Sequence, residues 1–252
     1  MSRVNRDVLT QYLNDLLKPE GFKDYCPNGL QVEGRDEISR LVCGVTANQA
    51  LLDLAVAQEA DAILVHHGWF WRGENGAVTG IKRNRLKTLL VNDINLYAYH
   101  LPLDAHPVVG NNAGLANAAG WQLSGVFGEQ GLGCLGMPAS GATVATLAAD
   151  LEKALGRPPF VLAESPGQPI HRVAWCTGGA QSYFEAAIAA GADMFVTGEV
   201  SEPMVHLARE TGVAYVAAGH HATERFGVQA LGEAIAGQFG IEVTYLEVDS
   251  PV

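Results

Sequence analysis

The chain has 252 residues, 48% of them apolar and 17% charged, with 27 acidic residues against 16 Lys and Arg and a formal charge of −11. That length suits one large domain or two modest ones, either with a real core and no need of disulfide staples. The acidic balance argues against a surface built to grip nucleic acid phosphates, and four scattered cysteines (Cys26, Cys43, Cys134, Cys176) with no C-x-x-C pair argue against a thiolate zinc site or a disulfide framework.

The first element, "VNRDVLTQYLNDLLKP", sets Val8, Leu9, Tyr12, Leu13, Leu16 and Leu17 at helical spacing with charges between them, so it reads as a helix and not as a signal peptide. No apolar run approaches the roughly 20 residues that span a bilayer, and the expected location is the cytoplasm. Strand patterns follow at "RLVCGVT", "AILVHHG", "INLYAYHL", "RVAWCTG", "ADMFVTG", "VAYVAAG" and "EVTYLEV", with helical stretches such as "NQALLDLAVAQEA" and "QSYFEAAIAAG" between them. The alternation predicts an α/β fold of two similar lobes with mixed, largely parallel sheets. A Gly- and Pro-rich passage over 126–171, holding the helix "ATVATLAADLEKAL", puts the first lobe at 1–125 and the second at 126–252, with a C-terminal segment able to pack back on the first.

The pattern that starts at Arg40 begins again at Arg172. At a shift of 172 − 40 = 132, Gln49 meets Gln181 and Ala60-Asp61 meets Ala192-Asp193, while His66 and His67 fall on Gly198 and Glu199. Matched polar residues favour a duplication over a coincidence of apolar periodicity. On the next strands His100 with Asp104 corresponds to His220 with Glu224, each a histidine followed four residues later by a carboxylate, at a shift of 220 − 100 = 120. The difference, 132 − 120 = 12 residues, is an extra segment in the first half within "WFWRGENGAVTGIKRNR".

These strand ends carry the chemistry. Successive side chains of a strand face opposite sides, so the adjacent imidazoles of "AILVHHGWFW" belong at its carboxyl end, where the chain leaves the sheet and both rings can turn to one point. Ligands gather at such ends. With the two halves face to face, His66, His67, His100 and Asp104 would meet His220, His221 and Glu224 in the cleft between the lobes, where two imidazoles can serve different metal ions and a carboxylate can bridge them. Imidazole and carboxylate without thiolate suit Zn, Mn, Fe, Co or Ni and do not select among them. Two divalent ions about 3.5–4 Å apart can share a hydroxide ionised near neutral pH. Taken singly, each cluster has a structural alternative: a pair of loop histidines, a turn at Pro102 closed by His100 and Asp104, or a helix start with Glu224 in its first turn. Three clusters at matching strand ends favour the metal site. His106, His171 and His206 are assigned no role.

In their order and spacing, "YCPNGLQVEG", "LVHHGWFW", "KRNRLKTLL", "YHLPLDAHP", "TGEVSE" and "AAGHHATER" resemble the motifs of the GTP cyclohydrolase 1 type 2 family, also called the NIF-three-like dinuclear metal centre hexameric proteins. The likeness runs from about Asp24 to nearly the C-terminus and is closest to short bacterial members without an inserted domain. It implies two-lobed subunits in a toroidal homohexamer, with two divalent metal ions per chain facing an internal cavity. It further implies His67 and Asp104 on one ion, His66 and His220 on the other, and Glu224 bridging both, with His221 beside the ligands. The implied reaction is hydrolytic opening of the guanine imidazole ring of GTP to formate and dihydroneopterin triphosphate. His100 is then an additional ligand or, with Glu199, a catalytic group that moves protons as the ring nitrogen departs.

Lys82, Arg83, Arg85 and Lys87 are candidates for the triphosphate, against a reading as a solvated basic helix start. Trp69, Phe70 and Trp71 read better as core or interface packing than as a base-stacking surface. The expected partners are a small-molecule substrate, GTP or another nucleotide, and further copies of the chain, with no membrane. Two alternatives stay open: another dinuclear metallohydrolase acting on phosphoesters or peptides, and a non-catalytic metal-stabilised ring in DNA repair. The acidic charge speaks against the second unless the ring is basic inside.

Overall fold

The computed structural model describes residues 2–252. In chain order its strands are β1 (Val4–Asn5), β2 (Gly29–Val32), β3 (Glu37–Ile38), β4 (Arg40–Thr46), β5 (Ala62–His67) and β6 (Asn95–Ala98). There follow β7 (Gln122–Phe127), β8 (Gly133–Met137), β9 (Phe160–Leu162), β10 (Val173–Trp175), β11 (Met194–Thr197), β12 (Ala214–Ala217) and β13 (Glu242–Tyr245). They fall in two compact units, Met1–Gly110 with Gly227–Asp249, and Asn111–Phe226 with Ser250–Val252. The fold is mixed α/β with largely parallel sheets, as the alternating pattern predicts.

The first unit holds a sheet in the order β13-β4-β5-β6-β2, in which β13, β4, β5 and β6 are parallel and β2 runs antiparallel to β6. Its central strands are apolar without a break because both faces are covered. Leu41, Cys43, Leu64 and Tyr97 pack on one side with Leu9 and Leu13 of the helix Arg6–Leu17 and with Val228, Leu231 and Ile235. Val42, Ile63, Val65 and Leu96 pack on the other with Leu51 and Leu52 of the helix Gln49–Ala57.

In the second unit the order is β7-β8-β10-β11-β12-β9, with β10, β11 and β12 parallel and the remaining pairings antiparallel. Leu147, Leu151 and Leu155 of the helix Val144–Leu155 cover Val173, Trp175, Val196 and Val216. That helix is closed by a capping box of Thr143 and Thr146 and ends at Gly156, whose φ of 73° suits glycine. The Gly- and Pro-rich passage 126–171 lies inside this unit, where it supplies the β7–β8 ladder, this helix and β9. None of the four cysteines is in a disulfide. Among the described residues no helix is long and apolar enough to cross a membrane.

The duplication read from the sequence is written in hydrogen bonds. Asp61 Oδ2 accepts from the Ser39 and Arg40 amides at 2.8 and 3.0 Å, and Asp193 Oδ2 accepts from the His171 and Arg172 amides, both at 2.8 Å. The Asp61 amide donates to Arg40 O and the Asp193 amide to Arg172 O, each at 2.9 Å. Each aspartate ties the start of one parallel strand to the start of the next.

Candidate metal centre

In the first unit β5 ends in His66 and His67, and the chain leaves the sheet at Gly68. A Cβ there would lie 2.5 Å from Ala98 Cβ and would strike the Gln31 carboxamide, so glycine alone lets the chain pass. Gln31 grips the next residue at both ends: the Trp69 amide donates to Gln31 Oε1 at 2.7 Å, and Gln31 Nε2 donates to Trp69 O at 3.1 Å. The Trp69 indole turns inward and donates to Ala47 O at 2.8 Å. Phe70 is held at a φ of 66°, a left-handed conformation unusual for a bulky side chain. Trp71 comes back to meet His100 edge-on, its ring 5.0 Å away.

The three imidazoles His66, His67 and His100 lie together, with ring centroids 4.6 to 5.7 Å apart and one nitrogen of each within 4.8 Å of the others. His66 is fully buried. Its Nδ1 donates to Tyr99 O at 3.0 Å, a carbonyl that can only accept, so the Nε2 lone pair faces Asp104 Oδ1 at 3.4 Å. Two acceptors that close hold a cation or a proton between them. His67 Nδ1 meets the Thr46 hydroxyl at 3.2 Å.

His100 Nδ1 donates to Asp24 Oδ1 at 2.7 Å, and Asp24 also accepts from the Tyr25 and Leu101 amides and from Asn28 Nδ2. Burial pushes the Asp24 carboxyl up, but the His100 partnership and the other donors outweigh it and hold the group at about 2. Asp24, which orients His100, is a partner that spacing alone does not reveal. Cys26 lies beside it, with burial and then the Asp24 charge pushing its thiol up to about 12, a poor ligand near neutral pH.

The second unit builds its cluster after β12. Gly219, at a φ of 103°, turns the chain into the short helix His220–Thr223, and Glu224 follows. His220 Nδ1 donates to Glu199 Oε1 at 2.6 Å, and its Nε2 lies 3.2 Å from Glu224 Oε2. Glu199 also accepts from Gln181 Nε2 at 3.2 Å. Burial alone would pull the His220 imidazole down, yet Glu224 and Glu199 outweigh it and raise it to about 9. Gly178, at a φ of 72°, closes over this pair: a Cβ there would collide with the Glu224 carboxylate.

The donors fit metal ions. Ligands at about 2.0–2.1 Å in a tetrahedral shell stand about 3.3–3.4 Å from one another, and the two imidazole–carboxylate pairs are 3.4 and 3.2 Å apart. An imidazole held through Nδ1 by a carbonyl or carboxylate presents Nε2 in the way metal-ligating histidines do. The first unit thus brings together His66, His67, His100 and Asp104, and the second His220, Glu224 and Glu199. His221 donates its amide to Val252 O. His106 accepts the Val108 and Val109 amides in a turn, and His171 and His206 are exposed.

The chain is similar to known proteins over nearly its whole length. The sequence profile of the family described as Duf34/NIF3 (NGG1p interacting factor 3) matches residues 4–251. The GTP cyclohydrolase 1 type 2 homolog of Pseudomonas aeruginosa is 55% identical over 247 residues, 97% of each chain. Its Escherichia coli K12 counterpart is 50% identical over 249 residues, 96% of this chain and 98% of its own. Among solved structures, protein ybgI, described as of unknown function, matches with a TM-score of 0.95 and 48% identity over 99% of this chain and 100% of its own. TTHA1606 from Thermus thermophilus matches with a TM-score of 0.85 and 32% identity over the same shares. Reduced HcgD from Methanocaldococcus jannaschii shares the fold, with a TM-score of 0.86 and 23% identity over 98% of this chain and 99% of its own.

Proposed function

The chain belongs to the Duf34/NIF3 family, and on that premise we propose that it is a metal-dependent hydrolase of the GTP cyclohydrolase type, with two divalent ions held by His66, His67, Asp104, His220 and Glu224. The observation that carries this reading is that each unit places, at or just beyond the end of a parallel strand, an imidazole Nε2 beside a carboxylate oxygen, at 3.4 Å for His66 with Asp104 and 3.2 Å for His220 with Glu224. Ions bound there supply Lewis acidity and water ionised near neutral pH.

The other roles belong to the chain. Opening the guanine imidazole ring adds water at the carbon between its two nitrogens and delivers a proton to the nitrogen that departs. His100 is placed to carry the proton released by the added water to that nitrogen through Nε2, while Asp24 fixes its Nδ1–H. Glu199 holds His220 in orientation, with its second oxygen occupied by Gln181, and so assists the ligand more directly than the substrate. Trp71, edge-on to His100, limits the directions from which a planar ring can approach.

The test is elemental analysis of tag-free protein, wild type and Glu224→Ala, together with formate release from GTP under each candidate metal. About two ions per chain, lost in the variant, and formate only with metal are expected. Two ions without formate would move the substrate elsewhere among hydrolysable compounds. Metal that neither arrives with the protein nor can be restored would overturn the reading.

A further inference from the structure

Residues 82–87 hold four of the chain's 16 Lys and Arg, and the helix that carries them, Gly80–Val91, has no acidic residue. Helical spacing divides the four. Lys82 and Arg85 share one face and line a cleft of about 370 Å³ with Trp69, Glu74, Asn75 and Thr79. Arg83 and Lys87 share another face and line a separate groove with Gln49, Asp53 and Thr88.

The cations differ in what already occupies them. Arg83 donates to the Asn84 carboxamide at 3.2 Å. In the cleft, Arg85 Nε is shielded from water and no acceptor among the described residues reaches it. Lys82 Nζ stands 3.3 Å from Asn75 O and 3.5 Å from Glu74 Oε2, at the long end of hydrogen bonding, and 5.1 Å over the Phe70 ring. A shielded donor with no acceptor is unfavourable, so the Arg85 guanidinium gains by turning out to meet an anion in the cleft. Thr79, at the helix start, makes no side-chain cap to the first-turn amides, so these too point at whatever lies beyond the helix end. Glu74 is the one carboxylate in the lining. With a net excess of a single positive charge, recognition here depends on the planar fork of Arg85 and not on bulk charge.

We propose that this cleft binds a phosphate group of a small-molecule ligand through Arg85 and Lys82. That the ligand is also the substrate of the metal centre rests on the proposed function; the phosphate site itself does not. The test is calorimetric titration of inorganic tripolyphosphate into the full-length, metal-depleted protein. Saturable binding is expected, weakened about tenfold or more by Arg85→Ala, weakened also by Arg85→Lys, which keeps the charge and removes the fork, and unchanged by the double substitution Arg83→Ala with Lys87→Ala. Absence of saturable binding, full binding by Arg85→Lys, or equal losses from the two faces of the helix would overturn the site. Metal content and formate release separate the two readings: loss of tripolyphosphate binding with both intact removes the cleft alone, and binding that persists without either leaves the cleft standing.

Discussion

The two units share a frame and finish it differently. In the first, β4, β5 and β6 run parallel with β2 antiparallel beside β6; in the second, β10, β11 and β12 run parallel with β9 antiparallel beside β12. Asp61 and Asp193 make the same amide bonds at the strand starts. At the other end of the strands the likeness stops. β5 closes with His66 and His67, whereas β11 passes into Gly198 and Glu199, and a Cβ on Gly198 would come within 2.6 Å of Gly178 O and closer still to His220 Cα. Where the first unit has Thr46 touching His67, the position 46 + 132 = 178 is Gly178, packed on Glu224. The first set is rich in imidazole and the second in carboxylate. A duplicated frame keeps the bonds that hold its strands and is at liberty to change what stands beyond them.

The sharpest way to break this comparison is at that matched pair. Gly178→Ala puts a methyl group into the Glu224 carboxylate on a backbone that disfavours side chains; a loss of about 3 kcal/mol and of the metal proposed to bind at Glu224 is expected by urea unfolding and elemental analysis. Thr46→Ala removes one hydroxyl contact and should cost about 1 kcal/mol or less with metal retained. Equal losses would mean the two strand ends are built alike after all.

The aspartates test the shared frame. Asp61 adds the Ser39 hydroxyl and Arg35 to its amide partners and is buried, while Asp193 is partly exposed. Asp61→Ala should therefore cost about 3 kcal/mol and Asp193→Ala about 1 kcal/mol. Matching denaturation midpoints for the two variants would contradict this.

A smaller effect is expected from acid. Asp24 falls from an ordinary 3.8 to about 2, and Asp61 is also held low, against burial, by the Ser39 and Arg40 amides and Arg35. Carboxyls lowered in the folded state contribute stability that is complete above their unfolded value and is lost as pH falls through the folded one. The unfolding midpoint should then drop as pH goes from 3.8 toward about 2, and Asp24→Asn should flatten that slope. The smallest change belongs to His206→Ala, where an exposed ring 3.9 Å from Glu202 is worth less than about 0.5 kcal/mol, and both metal content and midpoint should stay put.

What the sequence makes legible follows from the same physics. Strands covered on both faces announce themselves as apolar runs, and β4, β5, β10, β11 and β12 all lie within the runs read for them. β7 does not: Gln122–Phe127 is exposed or partly exposed throughout, on an edge, and no continuous run marks it. His66, His67, His100, Asp104, His220 and Glu224 stand out because each is adjacent to, or four residues from, another ligand type at the end of such a run. The group that aims His100 does not: Asp24 is 76 residues away, and only the fold brings the two together. Glu199 stands out in "TGEVSE" as a partner of His100, but its contact with His220, 21 residues on, does not. The basic run at 82–87 is visible as charge, but its division between two faces depends on where the helix begins, at Gly80.

The pairing of β13 with β4 has a consequence for biosynthesis. Val228, Leu231, Ile235 and Ile241 fill the first unit's core, and Glu242–Tyr245 closes one edge of its sheet. A chain emerging from the ribosome has residues 2–110 in hand long before these arrive, whereas the second unit is contiguous save for Ser250–Val252. The later-coded unit completes itself first, and the earlier one waits with the edge of β4 open to any strand that offers itself. Nascent-chain crowding is therefore most hazardous to the half of the molecule that was made first.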